Sequence, residues 1–166
     1  KKTIYMIDEN LFRFWYRFVP ENSSIIMRGA TDVAYKRIEP HIPTYMGKVF
    51  EEICKEYLWK LLIRGRSPVQ LGRWWGNDKE TKSQTEIDIM GEEDKDTAIF
   101  AECKWTNEKV DVGVLELLEK RAGMFNYKNT YLYLFAKSGF TKGCIDRAVK
   151  TGKVKLISYK DIVKEI

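Results

Sequence analysis

Residues 99–105 read IFAECKW, an apolar run of strand character interrupted by two charges. A carboxylate and an ammonium are costly inside a sheet unless they pair with each other or hold an ion. Glu102 and Lys104 therefore mark either a structural ion pair at a sheet edge or a site. Side chains alternate faces along a strand, so Glu102 and Lys104 project together, while Cys103 and Trp105 project to the other face, where Trp105 is expected to pack beneath the sheet.

Outward from this run towards the N-terminus, TEIDIM (85–90) and TAIFAECKW (97–105) are two strand-like segments joined by GEEDKD (91–96). That connector has the composition of a hairpin loop and predicts antiparallel pairing. By alternation, Glu86 and Asp88 share one face of the first strand and Ile87 and Ile89 the other, with Glu86 towards solvent. PVQLGRWW (68–75) reads as a preceding strand that ends at the turn signal Gly76-Asn77-Asp78. Its two tryptophans are expected to pack rather than stack on bases. MGKVFEEICKEYLWKLL (46–62) predicts a helix from about Gly47 to Leu62, with Val49, Phe50, Ile53, Cys54, Tyr57, Leu58, Leu61 and Leu62 on one face. At about 100° per residue, Glu51 lies on the flank of that face and aims inward. Glu52 is expected to point to solvent and is the runner-up to Glu51 for the helix position.

Towards the C-terminus, Asp111 is an N-cap for a helix carrying Val114, Leu115, Leu117, Leu118 and Ala122. TYLYLFA (130–136) is a short buried strand, Thr141 to about Lys150 a helix, VKLIS (154–158) a last strand, and Ser158 the cap of a short final helix. Strand, helix, strand in that order favours a parallel crossover. At the start of the chain, YMI (5–7) reads as a short strand and Asp8 as the cap of the helix LFRFWYRF (11–18), which Pro20 ends. Leu11, Phe12, Trp15, Phe18 and Val19 recur at helical spacing, as a core-facing stripe does. Between Ser24 and Pro43 one helical piece is expected before Pro40, leaving His41 in a loop. The fold class is α/β, a mixed central sheet with an antiparallel hairpin at one side and helices on both faces.

The chain has 166 residues with 44% hydrophobic content, enough for one compact domain and a small appendage. No apolar run approaches the roughly 18 residues of a membrane span, and no charged segment followed by an apolar one opens the chain. A soluble, cytoplasmic protein with no membrane partner is expected. Three distant cysteines and one histidine disfavour a zinc site or a disulfide framework. A net charge of +5 suits a polyanionic partner as well as an ordinary lysine-rich surface. Arg64, Arg66, Arg73, Lys79 and Lys82 lie before or beside the two charged strands and are within reach of the phosphates of a polyanionic partner, although single charges this scattered are usually solvated.

If the hairpin sets its polar faces together, Asp88, Glu102 and Lys104 converge, and Glu51 can close the cluster from the preceding helix. Carboxylates without histidine are hard oxygen donors suited to Mg²⁺ or Mn²⁺, which leave coordination positions to water and substrate phosphate. A lysine beside them can orient an activated water or balance developing negative charge. The set has the parts needed for phosphodiester hydrolysis.

Asp88, thirteen intervening residues and then Glu102-Cys103-Lys104 resembles the D-x(n)-(D/E)-x-K signature of the PD-(D/E)XK superfamily, the restriction-endonuclease-like fold with an αβββαβ core. A likeness over nearly the whole chain adds to this. YMIDENLFRFWYRF, YMGKVFEEIC, LGRWW, EIDIM, AECKW and LFAKSGF resemble, in that order, the uncharacterised C-terminal domain of a family of archaeal and bacterial P-loop ATPases. That domain follows an ATPase core and a winged helix and is regarded as restriction-endonuclease-like. The resemblance implies that residues 1–35 are a linker and helix after a winged-helix module, and that residues 36–166 form the nuclease-like domain. It also implies Asp88, Glu102 and Glu51 as metal ligands, Lys104 as a further catalytic residue, DNA as substrate, and the ATPase and winged-helix modules of a longer chain as partners, with a homo-oligomer in view. The same resemblance leaves room for a nuclease fold kept only for binding or regulation. The proline-aspartate pair that names the superfamily is absent, because Ile87 precedes Asp88. No G-x-x-x-x-G-K-[ST] loop is present, so no ATP site is expected in these residues.

Overall fold

The computed structural model describes residues 7, 9–65, 70–78 and 82–165. Contacts divide the chain into two compact units, Lys1–Val49 and Phe50–Ile166. The expected strand at 5–7 and cap at Asp8 lie, apart from Ile7, outside the described residues, as do Arg66, Pro68, Val69 and Lys79.

The first unit is helical: α1 (Asn10–Met27), α2 (Thr31–Ile38), a 3₁₀ turn (Glu39–His41) and the start of α3 (Ile42–Leu62). Glu9 caps α1 by accepting from the backbone N–H of Phe12 at 2.9 Å. Pro20 does not end this helix, which continues for seven residues beyond it. Proline removes only one ladder bond, the one to the Tyr16 carbonyl, and the helix carries on past it, with Asn22 Nδ2 donating to the Phe18 carbonyl at 2.8 Å and Ser23 Oγ to the Pro20 carbonyl at 2.9 Å. The inward stripe also differs from expectation. It runs through Phe14, Phe18 and Asn22, with Phe14 and Phe18 packed edge-on against Tyr45. Leu11, Phe12 and Trp15 are exposed, at 70%, 57% and 46%. Helix α3 begins at Ile42, five residues earlier than its apolar periodicity suggests, because Pro43 falls in its first turn, where no ladder N–H is needed.

The second unit is a five-stranded mixed sheet in the order β1-β2-β3-β4-β5: β1 (Gln70–Asn77), β2 (Gln84–Asp94), β3 (Thr97–Lys104), β4 (Asn129–Ala136) and β5 (Val154–Ser158). The first three strands are antiparallel neighbours, and β3, β4 and β5 are parallel. The parallel pairs are bridged by α4 (Val112–Ala122) and α5 (Lys142–Thr151), and α6 (Tyr159–Lys164) closes the chain. Asp111, Thr141 and Ser158 cap these helices with their side chains. Strand β2 runs through most of the expected loop GEEDKD, leaving only Lys95 and Asp96 as the turn, where Asp94 Oδ1 accepts from the Asp96 N–H at 2.8 Å.

One face of the sheet is covered by α3, whose Phe50, Cys54, Leu58 and Leu62 meet Ile89, Ile99, Ala101 and Cys103. Trp105 packs on this face against Phe50, with ring centroids 5.0 Å apart. On the other face, Leu118 and Ala122 of α4 meet Ile87, Ala98 and Phe100. Ile87 and Ile89 thus lie in different layers, contrary to simple alternation. Gly72 pairs with Met90 but Trp74 with Ile87, so two steps on β1 oppose three on β2. The extra residue is a bulge at Asp88–Ile89. Trp74 packs against Phe125 at 5.0 Å as expected, but Trp75 is 52% exposed. Among the described residues no helix is long and apolar enough to cross a membrane.

Candidate active site

Three of the four residues singled out from sequence sit where β2 separates from β3. The ladder between these strands runs from Asp94↔Thr97 to Ile89↔Ala101 and goes no further, leaving the N–H of Cys103 without a strand partner on that side. Asp88, re-aimed by the bulge, supplies the acceptor: its Oδ2 receives the Cys103 N–H at 2.8 Å. The local fold therefore fixes the Asp88 carboxylate in the fork between the strands. No described residue donates a hydrogen bond to its other oxygen.

Glu102 is buried on the α4 side of the same fork, its side chain only 7% exposed. Both of its oxygens are engaged. Lys104 Nζ donates to Oε1 at 2.7 Å, and Arg121, from the last turn of α4, donates to Oε2 at 3.0 Å. The ion pair between Glu102 and Lys104 anticipated from IFAECKW is present, with a second cation added. Glu51, at the flank of α3, is held by Arg73 of β1, which also lies 3.9 Å from the exposed Glu86. Glu52 is partly buried rather than solvated. From the sequence, Arg73 is offered only as a phosphate contact beside the site, not as the partner of Glu51, and Arg121 is not singled out. Arg73 is one of several scattered charges in that part of the chain, and Arg121 carries no local signal beyond a helical register that puts it three residues after Leu118.

The electrostatics follow from this crowding. Burial, and next the negative charge of Glu102, push the Asp88 carboxyl up to about 6, with Glu51 adding to the rise and the Cys103 N–H opposing it. For Lys104, burial works against the ammonium. The hydrogen bond and charge of Glu102 and the charge of Asp88 outweigh it and leave its pKa raised. Burial, with Cys54 beside it, pushes the Cys103 thiol well up, which makes it a poor nucleophile. The site thus holds a carboxyl that ionises near neutrality, a doubly paired carboxylate and a persistent ammonium.

The fit of a divalent cation can be judged from the donors. Among the described residues no three histidine, cysteine, aspartate or glutamate side chains stand together as a ready ligand set. Asp88 and Glu102 nevertheless act on each other electrostatically, and Mg²⁺ commonly takes only one or two carboxylates and keeps several waters. Two carboxylates with one unengaged oxygen fit such an ion. Glu51 is directed first to Arg73. A cavity of about 390 Å³ in the first unit, lined by Arg17, Phe18, Glu21, Asn22, Arg37, Ile38 and His41, contains none of these residues.

Residues 15–117 match the family model DUF234, described as archaea bacterial proteins of unknown function. Over 113 residues the chain is 34% identical to an uncharacterized protein of Methanocaldococcus jannaschii, MJECL04; the match covers 66% of this chain and 24% of that protein. The matched part spans about a quarter of the length of this curated relative. In three dimensions the chain is similar to the protein of unknown function AF1548, with a TM-score of 0.46 and 16% identity, over 69% of this chain and 64% of the other.

Proposed function

Because the chain belongs to the DUF234 family, we propose its activity from the site itself: a Mg²⁺-dependent nuclease-like domain that hydrolyses DNA phosphodiesters as the C-terminal part of a larger ATPase. The observation that carries this reading is the β2–β3 fork, where a strand bulge delivers Asp88 beside Glu102 and Lys104 and raises its carboxyl to about 6 through burial and a like charge. A perturbed carboxyl set among other charged groups at one point of a fold is a mark of functional sites. The order α3-β1-β2-β3-α4-β4 is also the αβββαβ order of the restriction-endonuclease-like core.

In this reading Asp88 and Glu102 hold Mg²⁺ or Mn²⁺, and Glu51 assists from α3 once released by Arg73. When bound, the ion supplies charge neutralisation at the phosphodiester and a more acidic water. Lys104 keeps its proton at neutral pH because Glu102 raises its pKa. It therefore orients water or balances charge on the phosphorane-like transition state, and does not act as the base. The Cys103 N–H keeps Asp88 in its rotamer. A net charge of +5 supports a polyanionic substrate.

The test compares cleavage of plasmid and single-stranded DNA with Mg²⁺ or Mn²⁺ by the native protein, Asp88→Ala and Lys104→Ala. Each variant is expected to lose about 100-fold or more, and equal rates in all three would remove these residues from the chemistry. A second reading, a nuclease-fold module that binds DNA or regulates its parent chain without hydrolysis, is favoured by the pairing of Glu102 with Lys104 and Arg121 and of Glu51 with Arg73. It is the conclusion to draw if the native protein binds DNA but neither cleaves it nor takes up Mn²⁺.

A further inference from the structure

Arg121 stands in a position that the proposed hydrolysis does not account for. Its guanidinium reaches from the end of α4 to Glu102 Oε2 at 3.0 Å, the oxygen that Lys104 leaves open. The contact uses one nitrogen only. Arginine and carboxylate pair most strongly as a two-bond fork, yet here the Arg121 Nε is buried with no hydrogen-bond partner among the described residues. The pair is thus incompletely made on the arginine side, while each oxygen of the carboxylate faces a cation. The charges at the fork also balance without any ion: Asp88 and Glu102 against Lys104 and Arg121. A divalent cation added to that set meets two fixed cations, one at each oxygen of Glu102.

We propose that Arg121 is an internal stand-in for the metal: it occupies the cation position on Glu102 Oε2 and must leave that oxygen before a divalent ion can load. Arg121 is in this sense a positioning residue that sets metal affinity. The proposal rests on the reading of Asp88 and Glu102 as metal ligands. An ordinary structural ion pair between α4 and β3 makes the opposite prediction, because breaking it would loosen Glu102 and weaken any ion held there.

The experiment measures Mn²⁺ binding to the whole chain in the absence of DNA, from the electron paramagnetic resonance signal of free Mn²⁺, for the native protein, Arg121→Gln, Arg121→Lys and Asp88→Asn. Removing a full positive charge next to the ion should tighten Mn²⁺ binding at least about tenfold in Arg121→Gln, while Arg121→Lys stays within about threefold of the native protein. Unchanged or weaker binding in Arg121→Gln, with Asp88→Asn having lost it, overturns the role of Arg121 and leaves the metal site standing. No Mn²⁺ uptake by either the native protein or Arg121→Gln, or full uptake by Asp88→Asn, overturns the metal site and this proposal with it. A measurement on the native protein guards against misfolding of the glutamine variant. The Nε–H resonance of Arg121, identified by its loss in Arg121→Lys, should move when Mg²⁺ is added, and a signal unmoved at saturating Mg²⁺ overturns the exchange.

Discussion

Asp88 illustrates how one residue can serve the backbone and the site at once. It replaces a missing strand partner for the Cys103 N–H, and it does so as a carboxylate crowded by Glu102 and Glu51 in a half-buried fork. Its raised pKa makes it a stability cost at neutral pH. The folded state binds a proton more readily than the unfolded chain between about pH 4 and 6, so the Asp88 contribution is fully present below its unfolded pKa and is lost as pH rises through about 6. Asp88→Asn keeps an oxygen for the Cys103 N–H and removes the charge. It should be more stable than the native protein by about 2–3 kcal/mol at pH 7.5, with most of the gain gone near pH 4, as read by urea unfolding at the two pH values. The aspartate was legible in the sequence through its spacing to Glu102 and Lys104. Its hydrogen bond was not, because that bond depends on where one strand stops pairing with another.

At the scale of elements, the bulge in β2 decides what the site looks like. Period-two alternation assigns Ile87 and Ile89 to one layer, whereas the inserted residue sends Ile87 to the α4 side and Ile89 to the α3 side. Without that shift Asp88 would point to the layer opposite both isoleucines instead of into the fork. The register beyond the bulge is held at Gly91. A Cβ there would stand 2.5 Å from Leu71 Cδ2 and 2.7 Å from the backbone oxygen of Gln70, and a backbone atom cannot yield cheaply. Gly91→Ala should destabilise the protein by about 1–3 kcal/mol, measured by chemical denaturation, and should lower Mn²⁺ uptake by disturbing the nearby bulge of β2. Helix identities were the most legible part of the chain, since Asp111, Thr141 and Ser158 are cap residues by type and position. The continuation of α1 through Pro20 was not legible, because a proline costs a helix one ladder bond and whether the helix outlasts that loss depends on the packing of its inward stripe, Phe14 and Phe18 against Tyr45, which is a non-local contact.

On the scale of the whole molecule, Cys54, Cys103 and Cys144 are all free and buried. Native protein should resist alkylation by iodoacetamide at pH 8, and all three thiols should react in urea without reductant; rapid labelling of the native protein would contradict the packing of Cys54 and Cys103 between α3 and β3. The sequence by itself determined most of the succession of helices and strands, the antiparallel β2–β3 hairpin and the parallel β4–β5 crossover, and the presence of a glutamate and a lysine on one face of β3. Each of these follows from local periodicity, capping chemistry and chain order, which a linear reading contains. Only the tertiary structure decided that Asp88 enters the fork, that Arg121 and Arg73 reach Glu102 and Glu51, and that Leu11, Phe12 and Trp15 face outward. These outcomes depend on register, on a one-residue bulge and on charges brought together from separate elements, and a non-local contact leaves no spacing in the sequence from which it can be read.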